Sequence, residues 1–159
     1  MKSIYLLLTF LSMNLIYSQE TTTMYLIRHA EKADATADPD LSEAGKARAK
    51  QWANWLADKN IAVIYSTPYK RTQQTAQPLA QMFQQQIITY NPSEVDLKAM
   101  AAKHKGQSIV IVGHSNTIPL YVNRLIKNNQ YPDFDEDEFG NIFIITLENE
   151  MISHELRKI

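Results

Sequence analysis

The chain has 159 residues, 45% of them hydrophobic and 21% charged, which suits one globular domain with an ordinary core. With 16 basic and 17 acidic residues the formal charge is −1, so no electrostatic footprint for nucleic acid exists. The absence of cysteine excludes disulfides, thiolate catalysis, cysteine-ligated metals and a lipid-modified cysteine anchor.

At the start, Lys2 is followed by an apolar run from Ile4 to Ile16, and Ser18 precedes a polar stretch. This pattern reads as a signal peptide over residues 1–18, because the apolar run is too short to span a bilayer comfortably. An uncleaved membrane anchor is the competing reading. Cleavage would remove Lys2 and leave 15 basic and 17 acidic residues, a formal charge of −2. The expectation is therefore an exported protein, periplasmic or secreted, with no stable membrane anchor. Residues 19–159 would form its single domain. The expected partner is a small molecule, and oligomeric state is not addressed by the sequence.

Thr23 to Ile27 suits a buried strand, and residues 32–41 read as a polar loop. Ser42 is a good N-cap, with Glu43 in the favoured first turn. The helix it opens should run to about Asp58 and present Ala44, Ala47, Trp52, Trp55 and Leu56 on one apolar face. A second buried strand covers Ile61 to Tyr65. A helix from about Tyr69 to Gln84 follows, with Ala76, Leu79, Ala80 and Phe83 inward and Pro78 expected to kink or interrupt it. Gln86 to Tyr90 is a short third strand. Pro92 or Ser93 should then start a helix carrying Val95, Leu97, Met100 and Ala101. Ser108 to Val112 is the clearest strand, with Gly113-His114-Ser115-Asn116 as its exit loop and a helix ending near Lys127. The acidic stretch 128–140 reads as a solvated loop, since the glycine-centred spacing of a calcium loop is missing. Two strands, Ile142 to Leu147 and Met151 to Leu156, close the chain as a hairpin. Alternating strands and helices predict a three-layer α/β/α sandwich with a mostly parallel central sheet.

Three of the predicted strands end in related chemistry. The first delivers Arg28 and His29. The second leads into a helix whose first turn carries Arg71, and the fourth ends in Gly113-His114. In a parallel sheet these ends share one edge, where open α/β sheets bind ligands. Gly113 would permit a tight turn and close approach of a ligand to the backbone. Two guanidinium forks and two imidazoles offer roughly a dozen N–H donors, and a phosphoryl group is their natural counter-ion. Cationic neighbours would keep His29 neutral and nucleophilic, able to form a phosphohistidine. Arg28, Arg71 and His114 would stabilise the oxygens around phosphorus. The leaving oxygen needs a proton, for which Glu94, Asp96 and Glu31 are the candidates.

The set Arg28-His29-Ala30-Glu31, Leu41-Ser42-Glu43-Ala44-Gly45, Ser66-Thr67-Pro68-Tyr69-Lys70-Arg71-Thr72, Thr75-Ala76 and Gly113-His114-Ser115-Asn116 resembles the histidine phosphatase superfamily. It is most similar to the phosphoglycerate mutase-like branch 1 and its small phosphohistidine phosphatases. The resemblance implies His29 as the phosphorylated nucleophile, with Arg28, Arg71 and His114 completing the phosphate pocket. It also implies Asn116 beside that pocket and Ser66 supporting it through hydrogen bonds. Ser115 follows the second histidine, where the acid phosphatase branch has an aspartate donor. The chain also lacks the insertions with which mutases enclose a bisphosphate. The expected activity is hydrolysis of phosphomonoesters or phosphoramidates without metal or other cofactor. A phosphate- or phosphosugar-binding module without turnover and a mutase-type phosphotransferase are the alternatives.

Overall fold

A computed structural model describes residues 20–159. The signal peptide expected at residues 1–18 lies outside the described residues. Six strands form one mixed sheet: β1 (Thr21–Arg28), β2 (Ile61–Ser66), β3 (Ile87–Thr89), β4 (Ser108–Gly113), β5 (Asn141–Glu148) and β6 (Met151–Lys158). Their spatial order is β3-β2-β4-β1-β5-β6. The first four strands are mutually parallel, and β5 and β6 join as an antiparallel pair at one side. The prediction of a mostly parallel sheet between helical layers therefore describes the fold.

The layers follow from strand alternation, because successive side chains point to opposite faces. In β4, Ile109 and Ile111 pack toward α3 (Leu97–Lys103) and α4 (Thr117–Ile126), beside Met24, Leu26, Phe143 and Tyr121. Val110 and Val112 pack toward α1 (Glu43–Trp55) and α2 (Lys70–Phe83), beside Tyr25, Ile27, Trp52 and Leu79. A strand covered on both faces has no polar side to show, which is why β1 and β4 read as continuous apolar runs.

Several local expectations need correction. The buried face of α1 is Gly45, Ala49, Trp52 and Ala53, while Ala44 and Ala47 are exposed. Hydrophobic spacing alone missed this, because Gly45 is the residue pressed against a neighbouring backbone. Pro78 does not break α2, which stays helical from Lys70 to Phe83. Thr75, Ala76, Leu79 and Ala80 are buried on both sides of the proline, and that packing holds the helix across the lost hydrogen bond. The helix expected from Pro92 or Ser93 is divided into a 3₁₀ turn, Pro92–Glu94, and α3. The division occurs because Asp96 caps α3, its carboxylate accepting from the Lys98 and Ala99 N–H groups.

Candidate active site

Register brings the chemistry to one edge of the sheet. Arg28 at the end of β1 pairs with Gly113 at the end of β4, and Ser66 at the end of β2 pairs with Val112. The His29 N–H donates to the Gly113 carbonyl at 2.9 Å, so the two histidine-bearing exits leave side by side. A further bond ties β1 to α2. The Ala30 N–H donates to Thr75 Oγ1 (2.9 Å), whose hydroxyl donates to the Arg71 carbonyl (2.7 Å).

These exits open into a cleft of about 480 Å³. Its base holds Arg28, His29, Arg71 and His114. Thr36, Ala37 and Pro39 form one part of its wall, and Asp133, Phe134 and Glu136 form another. The ring centroids of His29 and His114 are 5.5 Å apart.

Hydrogen bonding fixes both tautomers. His29 Nδ1 lies 2.8 Å from the Ala30 carbonyl, which can only accept. Nδ1 therefore bears the hydrogen, and Nε2 keeps its lone pair. His114 Nδ1 lies 3.4 Å from Arg71 Nη2, which can only donate, so this nitrogen accepts. Its Nε2–H donates to Thr67 Oγ1 at 3.0 Å, and Thr67 passes the chain on to Thr72 Oγ1 at 2.8 Å.

Burial is the main reason that both rings are neutral. It lowers His29 to about 4, with the Arg28, Arg71 and Lys32 charges adding to the effect and the bond to Ala30 opposing it. It lowers His114 to about 3, with Arg71, His29 and Arg28 adding. The sequence reading ascribed the neutral histidine to cations alone. The structure ranks desolvation above them.

Arg28 is 4% exposed, and its guanidinium serves a neighbouring loop. Nη1 donates to the carbonyls of Asp135 (2.6 Å) and Glu138 (3.0 Å), and Nη2 to that of Glu136 (3.1 Å). Phe139 lies under it, 4.4 Å from ring centroid to guanidinium carbon. Arg28 Nε is a buried donor without a protein partner. Burial lowers the Arg28 pKa, against the pull of Glu136, Glu138, Glu31 and Asp137. Arg71 lies over the Tyr69 ring at 4.6 Å and 3.8 Å from Asp38 Oδ1. Lys32, absent from the sequence-based set, supplies a third cation to the cleft.

Asn116 lines the cleft with an exposed side chain that makes no capping bond to α4. Ser66 is buried, and its hydroxyl donates to the Thr67 carbonyl. The hydroxyl that reaches His114 belongs to Thr67, which the Ser66-Thr67-Pro68 motif had flagged only through its neighbour. Gly113 also serves another purpose than expected. A Cβ there would meet Ile118 Cδ1 at 2.8 Å and the Tyr90 hydroxyl at 3.0 Å, so the close approach is to core side chains.

The three candidate acids are placed elsewhere. Glu94 is exposed, accepts from Asn91 Nδ2 at 2.9 Å and does not line the cleft. Asp96 caps α3. Glu31 is ion-paired to Arg48 at 2.6 Å. The carboxyl groups that line the cleft are Asp133 and Glu136, from the loop read as merely solvated. Among the described residues, no group of three or more His, Asp or Glu side chains is spaced to hold a metal ion.

Known proteins share both motifs and fold. The model of the histidine phosphatase superfamily, branch 1, matches residues 24–92. Phosphoserine phosphatase 1 of Hydrogenobacter thermophilus is 40% identical over 72 residues, 41% of this chain. The match spans 34% of that relative's length, so its activity does not transfer with it. Among solved structures, the SixA protein of Agrobacterium tumefaciens, provisionally a phosphohistidine phosphatase, superposes with a TM-score of 0.63 at 23% identity. It covers 86% of this chain and 98% of its own. Mycobacterial hydrolase 1 gives 0.70 at 14% identity over 86% and 97% of the two chains. A phosphoserine phosphatase from Entamoeba histolytica, solved with phosphoserine, gives 0.65 at 18% over 84% and 94%. At these identities the structures speak for the fold. Over residues 24–92 the chain is thus similar to the histidine phosphatase superfamily, branch 1, and its fold is that of the solved phosphatases it superposes on.

Proposed function

We propose that the chain is a metal-independent phosphatase that hydrolyses phosphomonoesters or phosphoramidates through a covalent phosphohistidine on His29. One observation carries the reading. His29 has its Nδ1 hydrogen committed to the Ala30 carbonyl and its Nε2 lone pair free, in a cleft that also holds Arg28, Arg71 and Lys32. The ring needs no base to activate it, because burial already holds it neutral.

In this mechanism His29 Nε2 attacks phosphorus while the bond from phosphorus to the leaving oxygen or nitrogen breaks. The leaving group takes its proton from solvent water, and the hydroxide so formed matches the proton that the later hydrolysis releases. Water then attacks the phosphohistidine, the P–N bond breaks, and inorganic phosphate leaves with neutral His29 restored. Arg71, Lys32 and the unpartnered Arg28 Nε supply donors and positive charge to the phosphoryl oxygens. A bound dianion would raise the His114 pKa from its lowered value, opposing the Arg71 and Arg28 charges that depress it. With Glu94, Asp96 and Glu31 engaged elsewhere, leaving groups of low basicity should react fastest. Action outside the cytoplasm is part of the proposal, supported by the pattern of residues 1–18.

The test is turnover of p-nitrophenyl phosphate by residues 19–159 in EDTA, beside His29→Ala. The wild-type protein should release phosphate, and the variant should lose on the order of 10³-fold or more in kcat. Equal turnover by the variant would sink the mechanism. A protein that binds phosphate without releasing product would favour the binding-module alternative.

A further inference from the structure

Both walls of the cleft were built from residues the phosphoryl chemistry does not require, and the acidic wall has a chemical consequence. We propose that Asp133 and Glu136 select phosphomonoesters whose alcohol carries an ammonium group, the short aminoalkyl phosphates. This rests on the phosphatase reading and adds a substrate class to it.

The cleft's ionised side chains are Arg28, Lys32 and Arg71 against Asp133 and Glu136, and both histidines are neutral. A phosphomonoester brings close to two negative charges at neutral pH, its second pKa being about 6. The three cations would therefore face the dianion and the two carboxylates together. Negative charge is left over on the acidic wall, where a substrate ammonium would meet it.

Geometry gives the surplus an address. Glu136 Oε2 stands 3.6 Å from Arg28 Nη2 and 3.4 Å from Lys32 Nζ. A phosphoryl group competes for those same two cations and strips Glu136 of its partners. Asp133 makes no ion pair among the described residues, although it lines the same cleft. The backbone of the wall is held in place, while the Glu136 side chain it carries is 79% exposed. Arg28 holds the carbonyls of Asp135, Glu136 and Glu138, and the Phe134 N–H donates to the Ser115 carbonyl at 3.1 Å. Carboxylates beside a dianion repel it, weakly because solvent screens exposed groups, and an ammonium on the leaving alcohol relieves that repulsion. The same ammonium withdraws electrons from the departing alkoxide and makes it less basic. That suits a cleft in which no acid predicted from the sequence faces the leaving group.

The measurement is kcat/KM for 2-aminoethyl phosphate and for 2-hydroxyethyl phosphate, with the ratio compared between wild type and an Asp133→Asn, Glu136→Gln double variant. The ratio cancels any general loss of rate. Wild type should prefer the amine by up to about five-fold, as expected for an exposed charge pair, and the double variant should lose most of that preference. A wild-type ratio near one, or a preference that survives both substitutions, overturns the proposal. Failure of every phosphomonoester, p-nitrophenyl phosphate included, would instead defeat the phosphatase reading. The two compounds are then compared by calorimetric Kd on proteins that also carry His29→Ala, where equal affinities with the wall intact overturn its role as well.

Discussion

Buried His29 and half-buried His114 are held neutral with their ring centroids 5.5 Å apart, and their protonation is where the site and the stability of the fold meet. In the unfolded chain both would titrate near the ordinary value of about 6.5. In the fold they hold off protons until about 4 and about 3. Below pH 6.5 the unfolded state therefore binds more protons than the native state, so stability falls as pH falls. The thermal midpoint should decline between pH 6.5 and 5, above the range in which carboxylates titrate. His29→Asn and His114→Asn should each flatten that slope, as followed by circular dichroism. An unchanged slope in both variants would mean that the histidines are not held neutral by burial. At this scale the sequence was legible for residue type and placement. Arg28, His29, Arg71, His114 and Asn116 all line one cleft. Glu94 was not legible, because whether a loop carboxylate faces a cleft depends on side-chain partners such as Asn91, which no spacing reveals. Lys32, Thr67, Asp133 and Glu136 were missed for a related reason. Each owes its position to a loop fastened by long-range contacts.

Among the elements, α1 shows how a helix can be placed by a glycine. The Ser42 N–H donates to the Glu31 carbonyl at 2.9 Å, and the Ser42 hydroxyl caps the helix through the Gly45 N–H at 3.0 Å. A Cβ on Gly45 would collide with the Glu31 carbonyl oxygen and lie 3.0 Å from the Glu31 nitrogen. Helix propensity alone predicts that Gly45→Ala stabilises by up to about 1 kcal/mol. The packing predicts the reverse, a loss of roughly 1–3 kcal/mol, because the clash is with backbone that cannot turn aside. Denaturant unfolding of Gly45→Ala beside Ala47→Gly on the exposed side of α1 separates the two effects. If Gly45→Ala proves more stable than wild type, the close packing of α1 on the Glu31 backbone is wrong. The sequence made the cap visible at Ser42 but not the buried glycine, since a residue without a side chain carries no hydrophobic signal. For Pro78 the opposite happened. A strong local rule predicted a break, and burial of Leu79 and Ala80 beyond it overrode the rule.

For the molecule as a whole, the order β3-β2-β4-β1-β5-β6 places three parallel, adjacent strand ends at one edge. That single topological fact gathers residues separated by 85 positions, from His29 to His114, without any insertion domain. It was legible because apolar runs and loop chemistry alternate so regularly along the chain. The pairing of loop 133–138 with Arg28 was not, because carbonyl acceptors are the same in every sequence. All of the proposed chemistry turns on phosphorus becoming bonded to His29. Rapid quenching of wild-type protein during turnover of an aryl phosphate, followed by peptide mapping, reads that bond. An acid-labile, alkali-stable phosphate is expected on the peptide containing His29, absent from His29→Ala. Product release with phosphate never appearing on that peptide, or its appearance on His114 instead, would contradict it.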